Sequence, residues 1–511
     1  MQVPSLEQPW LRNLAAAVAG ALLALAFAPL QWWLLGLLCP AALMLLMQGA
    51  GPRAAAARGF WFNAGTFAAG TYWLYISIHL VAAAPIYMAL ALLVGLVAIM
   101  GLYGALLGYV VARFVPARGA LRYLVGIPAA WLLIEWLRGW FLSGFAWLSL
   151  GYTQTDTLLA HLAPVIGAYG LSAVLLVAAG ALAMLVRGSR RERVLALAVL
   201  VVPWVAAASL AKVEWTHPSG PPIGVAIVQG ATPEDEKWVA ENHDATLELY
   251  RELTLRELGV PLIVWPEAAP PDLAESIGDY LAELYRQARR HGSALVLGVL
   301  RTSDDGAHTY NSILSLGDAV GWYNKSHLVP FAEYYPVPDF VRSWLRVLNL
   351  PHDDLTPGTT DQGLLVAAGL HLAATVCYED AFGALPLGRL AGTDALVNVT
   401  NDAWFGHSSA RFQHFQIARM RTLETGRYLI RAANDGISAV VGPHGEVLAR
   451  APEYRPAVLR ASVIPRRGLT PFAYTGNWLI ISLAATTLGG LAAWVWIAER
   501  RRLQPAAADV S

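Results

Sequence analysis

A chain of 511 residues has room for two or more domains, and its make-up restricts what they can be. Hydrophobic residues make up 56% and charged residues only 14%, with 19 tryptophans, which excludes a purely soluble globule. Lysine plus arginine and aspartate plus glutamate both count 36, so no basic surplus points to nucleic acid.

The chain opens with apolar runs at Trp10–Ala28, Leu30–Met47, Gly59–Leu80, Ala82–Ala112, Ala120–Leu137, Leu158–Val186 and Val194–Leu210. Each is long enough to cross a bilayer, which takes roughly 17–25 residues. An eighth, Trp478–Ile497, follows a long polar interval. The first run carries signal-peptide-like small residues at Ala24–Ala28, but Pro29 follows directly and more spans come after, so it reads as a retained helix. Positive charge gathers in alternate loops: Arg53 and Arg58, then Arg113, Arg118 and Arg122, then Arg187, Arg190, Arg191 and Arg193, and finally Arg500, Arg501 and Arg502. That pattern predicts both termini in the cytoplasm and the polar interval on the other face, periplasmic in a bacterium. The expected domains are residues 1–215 with seven spans, 218–465 as the catalytic domain, 474–498 as the eighth span and 499–511 as a tail.

Inside the membrane half, Glu135 and Arg138 are three apart on one helix. They read as an ion pair near the outer surface, or as part of a headgroup site with the loop Phe141–Asp156. Cys39 lies in an apolar run and Cys377 elsewhere, so a structural disulfide is not expected. The 12 histidines show no metal-binding spacing, and no cofactor is expected.

The interval Pro218–Pro465 begins β (Ile223–Gln229), α (Glu234–Leu258), β (Val260–Trp265), α (Asp272–His291), β (Ala294–Leu300). Hairpin strands Tyr310–Leu316 and Ala319–Asn324 follow, then Gly363–Ala368 with Leu370–Val376, Ala395–Val399, a helix over about Ala410–Thr425 and short strands from Tyr428 to Val463. Such alternation predicts a layered α/β domain. Three strand ends carry chemistry, where such folds build their sites. The run Val260–Trp265 delivers Glu267, the run ending at Asn324 delivers Lys325, and Leu370–Val376 delivers Cys377. A helix is expected from about Ala381, whose N-terminus would favour a thiolate. A base, a cation and a nucleophile on three strand ends suit acyl transfer. Cys377 would attack a carbonyl, Glu267 would move its proton, and Lys325 with a backbone N–H near Tyr378 would hold the oxyanion.

The segments Trp265-Pro266-Glu267, Asn324-Lys325-Ser326-His327-Leu328-Val329-Pro330-Phe331 and Val376-Cys377-Tyr378-Glu379-Asp380 resemble the Glu–Lys–Cys motifs of the nitrilase superfamily. With flanking membrane spans, the chain resembles one branch of it, the bacterial apolipoprotein N-acyltransferases, over nearly its whole length. The resemblance implies an α-β-β-α sandwich carried by a multi-pass α-helical membrane domain. It implies Glu333 and Glu379 as orienting carboxylates lining the pocket. It further implies a phospholipid acyl donor and, as acceptor, a lipoprotein whose N-terminal cysteine already bears diacylglycerol.

Other segments bear on substrate. Asp339–Leu350, with Phe340, Trp344 and Leu345, reads as an interfacial arm or as internal packing. Trp238 is a candidate for the lip of the site, and Asn398, Asn401 and Asp402 for its floor. Two other functions fit parts of the chain. One is a membrane-tethered amidase acting on a small amide, against which eight spans and an apolar arm argue. The other is a transporter with a degenerate hydrolase domain, against which an intact triad and the lack of internal repeats argue.

Overall fold

The computed structural model describes residues 8–335 and 354–503. The chain divides into two compact units, Met1–Val213 with Thr475–Ser511, and Glu214–Tyr474.

In the first unit, five helices among the described residues are long and apolar enough to cross a membrane: Pro9–Ala26, Ile86–Phe114, Leu158–Arg187, Arg190–Leu210 and Trp478–Arg501. The other three expected runs form helices of a different character. Leu35–Leu46 has only 12 residues, because the chain turns through Gln31, at φ 54°, before it starts. Pro52–Gly70 carries Arg53 and Arg58 and is rich in alanine and glycine. A π-helical stretch, Leu121–Gly126, continues into Ile127–Arg138, and together they enclose Arg122, Glu135 and Arg138. Packing relies on small residues: a side chain on Gly59 would meet the backbone of Gly104, and one on Gly104 the backbone of Gly59.

Glu135 and Arg138 do not pair as expected; each holds the loop that follows. Arg138 donates to the carbonyls of Phe145 and Trp147 at 2.6 and 2.5 Å, and Glu135 accepts from Leu150 N–H at 3.2 Å and Ser172 Oγ at 2.5 Å. Together they clamp the loop's backbone, and Glu135 also ties it to Ser172 on helix Ala163–Arg187.

The second unit contains two six-stranded sheets. In chain order the strands are β1 (His217–Pro218), β2 (Ile223–Gln229), β3 (Leu262–Val264), β4 (Ala294–Thr302), β5 (Thr309–Leu316), β6 (Val320–Asn324), β7 (Leu365–Ala367), β8 (Leu370–Val376), β9 (Ala395–Thr400), β10 (Leu429–Ala433), β11 (Ala439–Val441), β12 (Val447–Arg450), β13 (Ala457–Val463) and β14 (Arg466–Arg467). One sheet runs β13-β2-β3-β4-β5-β6 and the other β12-β11-β10-β9-β8-β7, while β1 pairs with β14. Each sheet has three parallel strands, β2-β3-β4 and β8-β9-β10, with antiparallel neighbours outside them.

Strand alternation explains the layers. Val225, Ile227, Leu262 and Val264 of the first sheet meet Leu372, Ala374, Val376 and Val397 of the second in one apolar core. The intervening Ala226, Val228 and Ile263 face the other way, toward Tyr250, Leu281 and Leu284 on helices His243–Leu255 and Gly278–Arg290. On the far side, Leu396 and Leu429 pack with Phe415 and Ala418 of helix Ala410–Thr425. The order is helix, sheet, sheet, helix. Burying each such aliphatic side chain contributes about 1.5–3 kcal/mol, so the inter-sheet core is the chief source of stability here.

Candidate active site

Glu267, Lys325 and Cys377 each follow the C-terminal end of a strand, β3, β6 and β8. Lys325 is 1% exposed, and its Nζ lies 2.8 Å from Glu333 Oε1 and 3.5 Å from Glu267 Oε1. Burial works against its charge, but Glu333 and Glu267 beside it, with Cys377, hold the ammonium above its ordinary pKa. Cys377 is half-buried and sits at φ 50°, the left-handed region that disfavours a side chain. Such a conformation costs on the order of 1–3 kcal/mol and persists only where its surroundings enforce it.

The thiol is not activated as the sequence suggests. No α-helix starts near Ala381; a single 3₁₀ turn, Cys377–Ala381, ends at Phe382, whose backbone leaves the helical region at φ -104° and ψ 77°. Burial and the Glu267 carboxylate push the Cys377 thiol well above its ordinary pKa, and Lys325 offsets this only in part. The sulfur is therefore disposed to rest as the thiol, and acyl transfer there calls for a base to take the proton during attack.

Glu333 and Glu379 both come close, in different ways. Glu333 binds Lys325 directly, and its second oxygen accepts from Val329 N–H at 2.7 Å. Glu379 is fully buried. Its oxygens accept from Ser326 N–H and Oγ, both at 2.7 Å, from His327 N–H at 3.1 Å, and from Val376 N–H at 2.8 Å. It thus ties the residue after Lys325 to the residue before Cys377. Tyr378 is nearly buried, its ring edge-on to Phe382 with centroids 5.2 Å apart.

Trp238 is 50% exposed, and its indole N–H donates to Glu234 Oε1 at 2.9 Å. The expected long helix is broken here into Glu234–Lys237, a turn at Ala240–Asn242 and His243–Leu255. The break lets Lys237 fold inward, where its Nζ donates to the Glu267 carbonyl at 3.3 Å. Of the expected floor residues, Asn401 binds Glu234 at 2.6 Å, while Asn398 and Asp402 lie beneath Cys377. Trp344 and the stretch Asp339–Leu350 lie outside the described residues.

Asn311 escaped the sequence reading. Its Nδ2 donates to Glu267 Oε1 at 2.6 Å and to Glu333 Oε1 at 3.1 Å. Nothing set it apart in a strand that also carries Thr309, Ser312 and Ser315.

A family profile described as Apolipoprotein N-acyltransferase N-terminal domain matches residues 19–182, and one described as Carbon-nitrogen hydrolase matches residues 224–467. A protein of Methylococcus capsulatus named apolipoprotein N-acyltransferase is 40% identical, over 96% of this chain and 96% of its own length. A protein of the same name from Azotobacter vinelandii is 41% identical over 98% of this chain and 97% of its own. One from Pseudomonas syringae is 39% identical over 96% and 97%.

Proposed function

Because this chain belongs to the apolipoprotein N-acyltransferases, we propose that it moves an acyl chain from a membrane phospholipid to the N-terminus of a lipoprotein through a thioester on Cys377. The observation that carries this reading is the shared charge cluster of Cys377, Lys325 and Glu267 at three strand ends.

In the first half-reaction Cys377 Sγ attacks an ester carbonyl of the phospholipid while Glu267 takes the thiol proton. The oxyanion forms against the Lys325 ammonium and the Tyr378 N–H. When the intermediate collapses, the C–O bond breaks and the lysophospholipid leaves with the proton that Glu267 held. In the second, the free α-amine of a diacylglyceryl-cysteine attacks the thioester, Glu267 takes a proton from the new amine, and the sulfur leaves and is reprotonated. The product is an amide. A thiol that rests protonated suits this scheme, because its proton supplies the leaving group.

The membrane reading extends to eight crossings, with residues 218–465 in the periplasm and both termini in the cytoplasm. The arginine-rich alternate loops support that orientation. Both substrates are lipids, which gives a reason to join a hydrolase-like domain to a helical membrane unit.

The experiment is to incubate the purified protein with phospholipid labelled in its acyl chain and look for hydroxylamine-labile label on Cys377. A diacylglyceryl-cysteine peptide should then discharge it. C377A should form no adduct, release no lysophospholipid and still fold. Lipoprotein acylation persisting in C377A would sink the covalent route.

A further inference from the structure

Beneath Cys377 lies a row of buried polar side chains, one from each of three adjacent parallel strands. Thr375 of β8 is in register with Asn398 of β9, and Asn398 with Arg431 of β10. Arg431 donates through Nη1 to Asp380 Oδ2 at 3.0 Å and Asn398 Oδ1 at 2.7 Å, and through Nη2 to Asp402 Oδ2 at 3.1 Å. His414, buried on helix Ala410–Thr425, completes the floor. Its Nδ1 lies 2.9 Å from Asp402 Oδ1 and 3.0 Å from Arg431 Nη2. Its Nε2 lies 3.2 Å from the main-chain oxygen of Cys377. A carbonyl oxygen only accepts, so Nε2 carries a proton whatever the state of Nδ1. Asn398 Nδ2 approaches the same oxygen at 3.5 Å.

That oxygen belongs to the peptide unit whose N–H is Tyr378's. In a planar trans peptide the C=O and N–H point in opposite directions. Fixing the Cys377 oxygen in the floor therefore turns the Tyr378 N–H away from it. The left-handed backbone of Cys377 would not hold this orientation unaided.

We propose that His414 is a positioning residue for acyl transfer: by gripping the main-chain oxygen of Cys377 it aims the Tyr378 N–H at the oxyanion. Asp402 and Arg431 in turn fix the imidazole. The proposal rests on the reading of Cys377 as nucleophile.

Two reactions at one sulfur test it, both on the full-length protein in detergent. Thioester formation from a p-nitrophenyl ester passes through an oxyanion; displacement of iodide from iodoacetamide does not. H414F keeps the ring's bulk and loses the donor. Thioester formation should slow about 10²-fold, the usual effect of losing an oxyanion donor. Alkylation should stay within about twofold of wild type, since the oxyanion plays no part in it. H414Q, whose amide reaches the oxygen, should recover most of the acylation rate. Unchanged acylation in H414F overturns the proposal, and so does an equal loss of both reactions, which is what simple disruption of the core produces. Should H414F not fold, H414Q is compared with H414N, whose amide is one methylene too short; equal acylation rates in those two overturn it. A wild-type protein that forms no thioester at Cys377 overturns the nucleophile reading first, and this proposal with it.

Discussion

Asn311 Nδ2 lies 2.6 Å from Glu267 Oε1, and the same nitrogen reaches Glu333 at 3.1 Å. One neutral amide thus fixes the spacing of the two carboxylates that flank Lys325. N311L keeps the size and removes the donor. Thioester formation should fall about 10- to 100-fold, because small misplacements of a base are costly. Stability should fall by about 1–3 kcal/mol, since Glu267 Oε1 and Glu333 Oε1 each lose a donor and are left to Lys325. Single-turnover acylation within twofold of wild type would dispose of this role.

Charge around the thiol predicts opposite outcomes for two chemistries. Burial and Glu267 raise the Cys377 pKa, and Lys325 lowers it. E267Q removes one raising influence, so the thiolate fraction at neutral pH goes up and iodoacetamide alkylation should quicken. Acyl transfer in the same variant should collapse, because no base remains to shuttle the proton. K325M removes the lowering influence and should slow both reactions. Slower alkylation in E267Q would contradict the electrostatic account.

Asp435 should make stability depend on pH. Burial, helped by Asp402 and Glu234, pushes its carboxyl up to about 7. Its unfolded value is near 4, so between about pH 4 and 7 the folded state holds the extra proton. Stability contributed by that proton is present below pH 4 and lost as pH rises through 7. D435N mimics the protonated acid. Its melting temperature should match wild type at pH 4 and exceed it at pH 8; equal shifts at both would point to packing instead.

Orientation can be read with reporters. A reporter that functions only in the periplasm should work when fused after Trp215 and fail after Arg191 or Arg502. The reverse pattern would invert the positive-charge argument.

The strand ends could be read from the sequence because an unbroken apolar run followed at once by a charged or reactive residue has few other meanings. Strand Ile223–Gln229 falls where the pattern put it, and Glu267 follows β3 as expected. Helix lengths were less legible. Glu234–Leu258 looks continuous by composition, yet Lys237 turns inward to Glu267 and the helix breaks around it. Asn311, His414 and Arg431 were missed for a common reason: a polar residue inside an element gives no sign of whether it faces water or a partner distant in sequence. The buried guanidinium of Arg431 finds its partners 17–51 positions away, beyond the reach of local pattern.

Glu267 and Lys325 hang from one sheet and Cys377 from the other, with the apolar layer between them. That layer works as a calliper whose thickness sets how far the nucleophile stands from its base. The Tyr323 hydroxyl donates to Glu379 at 3.0 Å across the gap and acts as its set-screw. Shortening Ile227 to valine, or Val376 or Val397 to alanine, should therefore alter the opening of the jaws as well as loosen the domain. Mutations in the greasiest part of the catalytic domain would then be recorded as losses of rate, and not of stability alone.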